Sequence, residues 1–262
     1  MEPLSEGAAP KGSQSAFRGT RMRVSVVIPA LNEEEPIGDV VRAIPRGAVD
    51  EVLVVDNGST DGTAERARTA GARVIAEPRR GYGRACKAGM AAVAADCDVI
   101  VFLDGDGSDC PEFIPDLIEP ILAGKQDFVI GSRIRGRREP GSMNLPQLLA
   151  GWVAGRLLRR LYGVRFSDMC PFRAIRRDAL MRLGMAETTY GWNLEMQMRA
   201  AKAGFRILEL PVDHRTRRGG RSKVSGNLSG SLKAVVRITW TFMRLAKDLR
   251  KAAAMEAKRT VR

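Results

Sequence analysis

The sequence is poor in several residue types, and each shortage excludes a class of protein. Aromatic residues make up 5% of the 262 residues, too few for modules that bind nucleic acid by stacking bases on aromatic rings. The four cysteines, Cys86, Cys97, Cys110 and Cys170, form no Cys-x-x-Cys pair, and there is one histidine, His214. A structural zinc site is therefore not expected. Scattered thiols in a chain of this size are typical of reduced cytosolic proteins.

Long apolar runs are also missing. No window approaches the roughly 18 consecutive apolar residues that a membrane-spanning helix requires. Residues 1–21 are rich in Gly, Ala, Ser and Pro and lack the apolar stretch of a signal peptide. These features predict a disordered tail, followed by a protein that is soluble or lies on a membrane surface. Val, Ile and Leu recur in dense blocks after it, so the rest of the chain is expected to fold.

Charge is divided unevenly along the chain. The formal net charge is +13, but residues 24–130 contribute −9 and residues 131–262 contribute +20. A uniform basic coat for DNA or RNA would not contain so acidic a part. The division instead indicates two tasks within one chain.

Short apolar runs alternate with helical patterns. Strands alternating with helices predict a mostly parallel sheet that is covered on both faces. Because no linker separates the acidic and basic parts, we expect a single α/β domain with a basic helical C-terminal region. The predicted strands are 24–28, 51–55, 73–76, 98–103, 127–131 and 206–212, and the predicted helices are 34–43, 63–70, 83–94, 111–123, 145–162, 192–203 and 227–250.

Acidic and amide residues follow three of these strands, in Leu31-Asn-Glu-Glu-Glu35, Asp56-Asn-Gly-Ser-Thr-Asp61 and Asp104-Gly-Asp106. Turns favour Asp, Asn and Gly whatever the function, but turn chemistry is a weak explanation for three such strand ends. Parallel sheets bind ligands beyond the carboxyl ends of their strands. Asp104 and Asp106, one residue apart after a buried strand, are spaced to hold Mg²⁺ or Mn²⁺ against a diphosphate.

Taken together, these segments resemble a known family. Val27-Ile-Pro-Ala-Leu-Asn-Glu-Glu34, the segment 54–63 and Leu103-Asp-Gly-Asp-Gly107 are similar to the family 2 glycosyltransferases, which have the GT-A fold. Ser167–Arg176, Tyr190–Met196 and Arg217–Lys223 are similar to the dolichol-phosphate mannosyltransferases and their bacterial polyprenyl-phosphate relatives. The resemblance covers roughly residues 22–245. The chain departs from the usual pattern at Pro171, where the family has glycine, and at Gly105, where it has alanine.

The resemblance implies a GT-A-type domain at 22–225, with a nucleotide-sugar and metal half at 22–131 and an acceptor half at 132–225. A basic amphipathic helix at 226–262 would follow. The implied activity is that of an inverting, metal-dependent glycosyltransferase, which moves a hexose from a GDP- or UDP-linked sugar to polyprenyl or dolichyl phosphate. The same donor chemistry onto a hydroxyl of a lipid, glycan or small molecule is the alternative. The expected location is peripheral, at the inner face of the membrane.

Each family motif implies a role for the matching residues of this chain. Asp106 and Asp104 would hold Mg²⁺ or Mn²⁺ and act in catalysis, and Glu195 would lie near the acceptor. The nucleotide-sugar would contact Pro29, Asn32, Glu33, Asp56 and Arg133, and the acceptor phosphate would contact Arg217, Ser222 and Lys223. An ionised phosphate needs no general base, whereas a hydroxyl acceptor does; Glu195 and Asp168 are the candidates. The basic C-terminal helix would pack on its own domain, lie on an anionic membrane or meet a membrane-embedded partner, and no nucleic-acid partner is expected.

Overall fold

The computed structural model describes residues 21–143, 145–218 and 240–248, without the side chains of residues 146, 147 and 150. Within that part of the chain, seven strands form one sheet. The strands are β1 (Val24–Ala30), β2 (Glu51–Asp56), β3 (Arg73–Ala76), β4 (Val99–Phe102), β5 (Phe128–Ser132), β6 (Arg173–Arg176) and β7 (Ile207–Pro211). The helices are α1 (Ile37–Ala43), α2 (Thr63–Thr69), α3 (Tyr82–Ala92), α4 (Ile114–Leu122), α5 (Leu145–Tyr162), α6 (Arg177–Leu183) and α7 (Trp192–Lys202), with a further helix at 240–248.

The strands run in the order β3-β2-β1-β4-β6-β5-β7. All neighbouring pairs are parallel except those made by β6, which is antiparallel to both β4 and β5. The predicted single domain with a mostly parallel sheet is therefore confirmed. Because β6 comes from the basic part of the chain and lies between two strands of earlier sequence, the acidic and basic parts share one sheet.

Apolar side chains cover both faces of the sheet. Every residue of β1 is buried, as expected for a strand inside a parallel sheet. Gly89 of α3 lies so close to the sheet that a Cβ there would be 2.3 Å from Val27. On the other face, side chains of Ile37 of α1, Ile28 and Ala30 surround Gly105, all within 3.5 Å of where its Cβ would lie. This alternation along β1 follows from the period of two in a strand.

Two elements, β6 and α6, were not predicted. Strand β6 is four residues long with arginine at each end, so it has no apolar run to reveal it. Arg173 is buried all the same, because its guanidinium donates hydrogen bonds to the carbonyls of Cys170, Pro171 and Asn193. Because the fold brings these carbonyls to the buried guanidinium, the sequence alone does not show that Arg173 is buried.

Several other predictions lie partly or wholly outside the described residues. These are the tail at 1–21, apart from Arg21, and most of the helix predicted over 227–250, of which 240–248 is helical. Phe242 and Leu245 of that helix are buried in the common core. None of the helices in the described parts of the chain is long and apolar enough to cross a membrane.

Candidate active site

The sheet brings the polar strand ends to one edge. Strands β1, β2, β4 and β5 are parallel, so the segments that follow them leave the sheet on the same side. Strand β6 begins at this edge because it runs in the opposite direction. The acidic loops of the first half and the motif that precedes β6 therefore surround one crevice.

The loops after β1 and β2 are locked to each other. Asn32 has a φ of 52°, a left-handed conformation that non-glycine residues seldom adopt. Its backbone N–H donates to Ser59 over 3.0 Å, and its side-chain oxygen accepts from the backbone N–H of Thr60 over 2.9 Å. Asp56 accepts a hydrogen bond from the backbone of Ser59. Pro29 is buried inside β1, three residues before Asn32.

The loop after β4 carries two carboxylates in different surroundings. Asp104 accepts a hydrogen bond from the hydroxyl of Tyr82 over 3.1 Å. Asp106 accepts from both the hydroxyl and the backbone N–H of Ser108, over 2.6 and 2.9 Å, and pairs with Arg217 over 2.8 Å. The same guanidinium contacts Glu33 over 3.2 Å. Arg217 thus joins the loop after β1 to the loop after β4.

The pKa values of these two carboxyls move in opposite directions. Burial, and after it the negative charges of Asp109 and Asp106, raise the pKa of Asp104 well above its ordinary value. Burial alone would raise the pKa of Asp106, but the hydrogen bonds from Ser108 and the charge of Arg217 outweigh it and lower that pKa. Ionisation of Asp104 beside the ionised Asp106 is therefore unfavourable unless a further cation is near.

A divalent cation fits this donor set. Carboxylate oxygens suit Mg²⁺ and Mn²⁺, and magnesium ordinarily takes one or two protein carboxylates and completes its shell with phosphate and water. In the described residues, no three His, Cys, Asp or Glu side chains converge as a ready cage. Asp104 and Asp106 would supply two ligands, and the crowding that raises the pKa of Asp104 would be relieved by a cation.

The basic segment 214–218 lies alongside the acidic loop 106–109. Backbone N–H groups of Arg215 and Arg218 donate to the carbonyls of Ser108 and Asp106, over 2.9 and 3.2 Å. His214 forms an isolated β-bridge with Asp109. This pairing joins residues more than one hundred positions apart and carries Arg217 to Asp106. Ser222 and Lys223, the other two residues predicted to bind phosphate, lie outside the described residues.

Sequence patterns did not identify the Asp109 and His214 pair. Both side chains are buried, with Oδ1 and Nδ1 3.8 Å apart. Burial raises the pKa of Asp109 to about 7 and lowers the pKa of His214 to about 4. Asp109 also accepts a hydrogen bond from the backbone N–H of Asp104. The neighbours of His214 in sequence, Asp213 and Arg215, give no indication that it is buried.

Arg133 is held rigidly by Asp168. Its Nε and Nη2 atoms donate to the two carboxylate oxygens, each over 2.7 Å, and its backbone N–H donates over 3.0 Å. The side chains of Arg133 and Asp168 are 13% and 2% exposed. Burial alone would raise the pKa of Asp168, but the guanidinium lowers it. Both groups therefore stay charged, and Asp168 is poorly suited to accept a proton.

The carboxylate of Glu195 lies against the segment 186–189. Its carboxylate is fully buried, accepts hydrogen bonds from the backbone of Ala186 and Glu187, and pairs with Arg199 over 2.8 Å. We expect it to hold this segment in place. The segment packs on the start of α3, where the backbone N–H of Arg84 donates to the carbonyl of Thr188 over 3.1 Å.

Tyr82 is a site residue that the sequence analysis missed. It sits between Gly81, with a φ of 148°, and Gly83, where a Cβ would lie 2.5 Å from the carbonyl oxygen of Glu187. The two glycines allow α3 to begin against segment 186–189. In the sequence, the glycines on both sides of Tyr82 are the signal that could have indicated its position.

Comparisons with known proteins show what this chain is similar to. The family model described as "Glycosyl transferase family 2" matches residues 25–184. An uncharacterized glycosyltransferase of Mycobacterium tuberculosis is 41% identical over 215 residues, which cover 81% of this chain and 94% of that protein. An undecaprenyl-phosphate mannosyltransferase of Micrococcus luteus is 34% identical over 240 residues, covering 83% and 93%.

A solved structure is also similar. It is the crystal structure of glucosyl-3-phosphoglycerate synthase from Mycobacterium tuberculosis in complex with Mn²⁺, UDP-glucose and phosphoglyceric acid. The TM-score is 0.69 at 26% identity, and the match covers 86% of this chain and 79% of that one.

Proposed function

This chain belongs to glycosyl transferase family 2, and on that premise we propose that it transfers a hexose from GDP- or UDP-linked sugar to polyprenyl phosphate, with inversion. The reaction would take place at the cytoplasmic face of the membrane that contains this lipid. The observation that carries the proposal is the pairing of segment 214–218 with loop 106–109, which sets a cationic side chain beside the carboxylates.

The donor half of the proposal rests on the acidic loops. Breaking the bond between the sugar and the diphosphate leaves negative charge on the departing nucleotide. Asp104 and Asp106 would hold Mg²⁺ or Mn²⁺, which supplies charge neutralisation at this diphosphate when bound. Asn32, Glu33 and Asp56 lie in the two interlocked loops after β1 and β2, where they would contact the nucleoside.

The acceptor half of the proposal rests on the surroundings of Glu195 and Asp168, the two candidates for a general base. Neither is available to accept a proton. Glu195 is enclosed by backbone N–H groups and Arg199, and Asp168 is held by Arg133. A hydroxyl acceptor would have to lose its proton during attack. A phosphate oxygen is already ionised near neutral pH, so it needs cations to hold it. Arg217 and Lys223 would supply that charge, and the hydroxyl of Ser222 would donate a hydrogen bond to the phosphate.

Relatives with different acceptors support different versions of the proposal. The Micrococcus luteus relative is named for undecaprenyl phosphate, whereas the similar crystal structure contains phosphoglyceric acid, which carries both a phosphate and a hydroxyl. Transfer to a small hydroxy acid is therefore the second candidate. The arrangement around Glu195 and Asp168 favours the lipid phosphate.

A turnover screen tests the two functions directly. The full chain would be incubated with UDP-glucose, GDP-mannose and related donors, with Mg²⁺ or Mn²⁺, and with three acceptors: a short-chain polyprenyl phosphate, the matching polyprenol, and phosphoglyceric acid. We expect a glycosylated product with the polyprenyl phosphate. A product that forms with phosphoglyceric acid and not with the lipid phosphate would contradict the proposal and support the second candidate.

Replacing Arg217 should weaken binding of the acceptor more than binding of the donor. In an Arg217→Ala variant, we expect the KM for polyprenyl phosphate to rise by about tenfold or more, because a charge-assisted hydrogen bond to phosphate is lost. The KM for the nucleotide-sugar should change much less. The matched control is Arg218→Ala, which removes the same charge from an exposed neighbouring position. Equal increases in both KM values, or equal effects of the two variants, would contradict the acceptor role of Arg217.

A further inference from the structure

Helix α5 turns an apolar face toward solvent. Leu145, Leu149 and Trp152, spaced four and three residues apart, are 79%, 48% and 55% exposed. Arg156 continues the same face, and its guanidinium carbon lies 4.4 Å from the centre of the Trp152 ring. We call these four residues the outer face of α5. Globular proteins ordinarily bury an apolar stripe of this kind, so its exposure calls for a partner.

The opposite face of α5 is already in use. Gly151, Ala154, Gly155 and Leu158 are buried against the domain. The approach at Gly155 is so close that a Cβ there would lie 2.1 Å from the carbonyl oxygen of Phe166. The helix therefore has no freedom to rotate and bury its outer face. Helix α5 therefore packs against segment 166–168, which contains Asp168, the residue that binds Arg133.

The charged residues of α5 and of the segments next to it in sequence have one sign. From 140 to 166 the chain contains no Asp or Glu, and its basic residues are Arg156, Arg159, Arg160 and Arg165. The first three lie on α5 and are exposed. An apolar protein surface would leave these charges without complements. A partner surface with an apolar interior and negative charge at its boundary matches both the apolar residues and the arginines.

We propose that the outer face of α5 binds an anionic lipid bilayer. The helix lies along the membrane surface, with its leucines and Trp152 between the headgroups and its arginines at the lipid phosphates. Tryptophan and arginine both favour this boundary, where an apolar ring or stem meets a polar layer. The inference goes beyond the proposed function, because this face is separate from the crevice and its binding requires neither sugar donor nor acceptor.

Tryptophan fluorescence reports on this face directly. The chain has three tryptophans, of which Trp192 is fully buried and Trp152 and Trp240 are exposed. In a Trp240→Phe variant of the full chain, the exposed emission comes from Trp152. Adding vesicles of phosphatidylcholine and phosphatidylglycerol should shift this emission to the blue, and brominated phospholipids should quench it. An unquenched Trp152 in protein that sediments with the vesicles would overturn the proposal, because another surface would then be bound.

Vesicle sedimentation without donor or acceptor supplies the second measurement. Binding should weaken by roughly fivefold for each arginine replaced in Arg156→Gln/Arg159→Gln/Arg160→Gln, and by at least tenfold in Leu149→Ser/Trp152→Ser. The matched controls are Met181→Ser, an equally exposed apolar residue on α6, and Arg68→Gln, an exposed arginine on α2; both should bind as the wild type does.

Three further outcomes would overturn the proposal: equal binding to neutral and anionic vesicles, unchanged binding by both α5 variants, and no vesicle binding by the wild type. The last is the result expected if the face instead contacts a protein. Transfer to a short-chain acceptor in solution should be unchanged in the α5 variants. Failure of the membrane proposal is therefore distinguishable from failure of the proposed transferase activity.

Discussion

An Asp106→Asn variant should lose sugar transfer by about a thousandfold in kcat, since it removes a charged group on which stabilisation of the departing diphosphate depends. In the folded protein Asp106 is ionised, because Ser108 and Arg217 outweigh the effect of its burial and lower its pKa. Asparagine keeps the shape and one acceptor oxygen but removes the charge. The loss should therefore lie in chemistry rather than in folding, and the thermal midpoint should fall by only a few degrees.

Metal binding gives this prediction a readout apart from activity. Calorimetric titration of Mn²⁺ in the presence of a nucleoside diphosphate should show binding to the wild type and greatly weakened binding to Asp106→Asn. Chelation should abolish wild-type transfer, and added Mn²⁺ should restore it. Asp39→Asn, at an exposed position on α1, is the control and should behave as the wild type does. An Asp106→Asn enzyme with full activity would rule out the proposed metal site.

The regular strands of this fold were predictable because they consist of apolar runs. The predicted bounds for β1, β2 and β3 agree with the structure to within two residues. Burial on both faces makes such strands continuous in hydrophobicity, and the turn-forming residues after them mark their ends. The convergence of the acidic loops at one edge of the sheet followed from the parallel order alone.

The tertiary contacts of the site were not predictable in the same way. Strand β6 could not be predicted from an apolar run, because its buried Arg173 is stabilised by hydrogen bonds to backbone carbonyls that only the fold brings near. The pairing of 106–109 with 214–218 joins distant parts of the chain through backbone groups, which every sequence possesses. Tyr82 reaches Asp104 because two glycines bring α3 against segment 186–189. No local pattern contains that information.

Replacing Asp168 with alanine should destabilise the protein by about 3–5 kcal/mol, the effect of removing one partner from a buried ion pair. Arg133 would remain inside the domain with its charge unbalanced, because Asp168 receives its Nε, Nη2 and backbone donors. Urea denaturation measures the change, with an unchanged m-value showing that the unfolding transition stays comparable. Asp39→Ala, in an exposed pair with Arg42, should have little effect, since such pairs contribute little.

The double variant Arg133→Met/Asp168→Ala distinguishes an ion-pair effect from a simple loss of packing. If the uncompensated guanidinium causes the loss, removing it as well should recover much of the stability, and the two changes should be strongly non-additive. The pH dependence has a definite sign. Because the pKa of Asp168 is lowered in the folded state, its stabilisation is present at neutral pH and is lost as the pH falls below its ordinary value of about 4. Two results would show that Arg133 and Asp168 act independently. One is a double variant whose loss of unfolding free energy equals the sum of the losses in the single variants. The other is a difference in unfolding free energy between the wild type and Asp168→Ala that does not become smaller in acid.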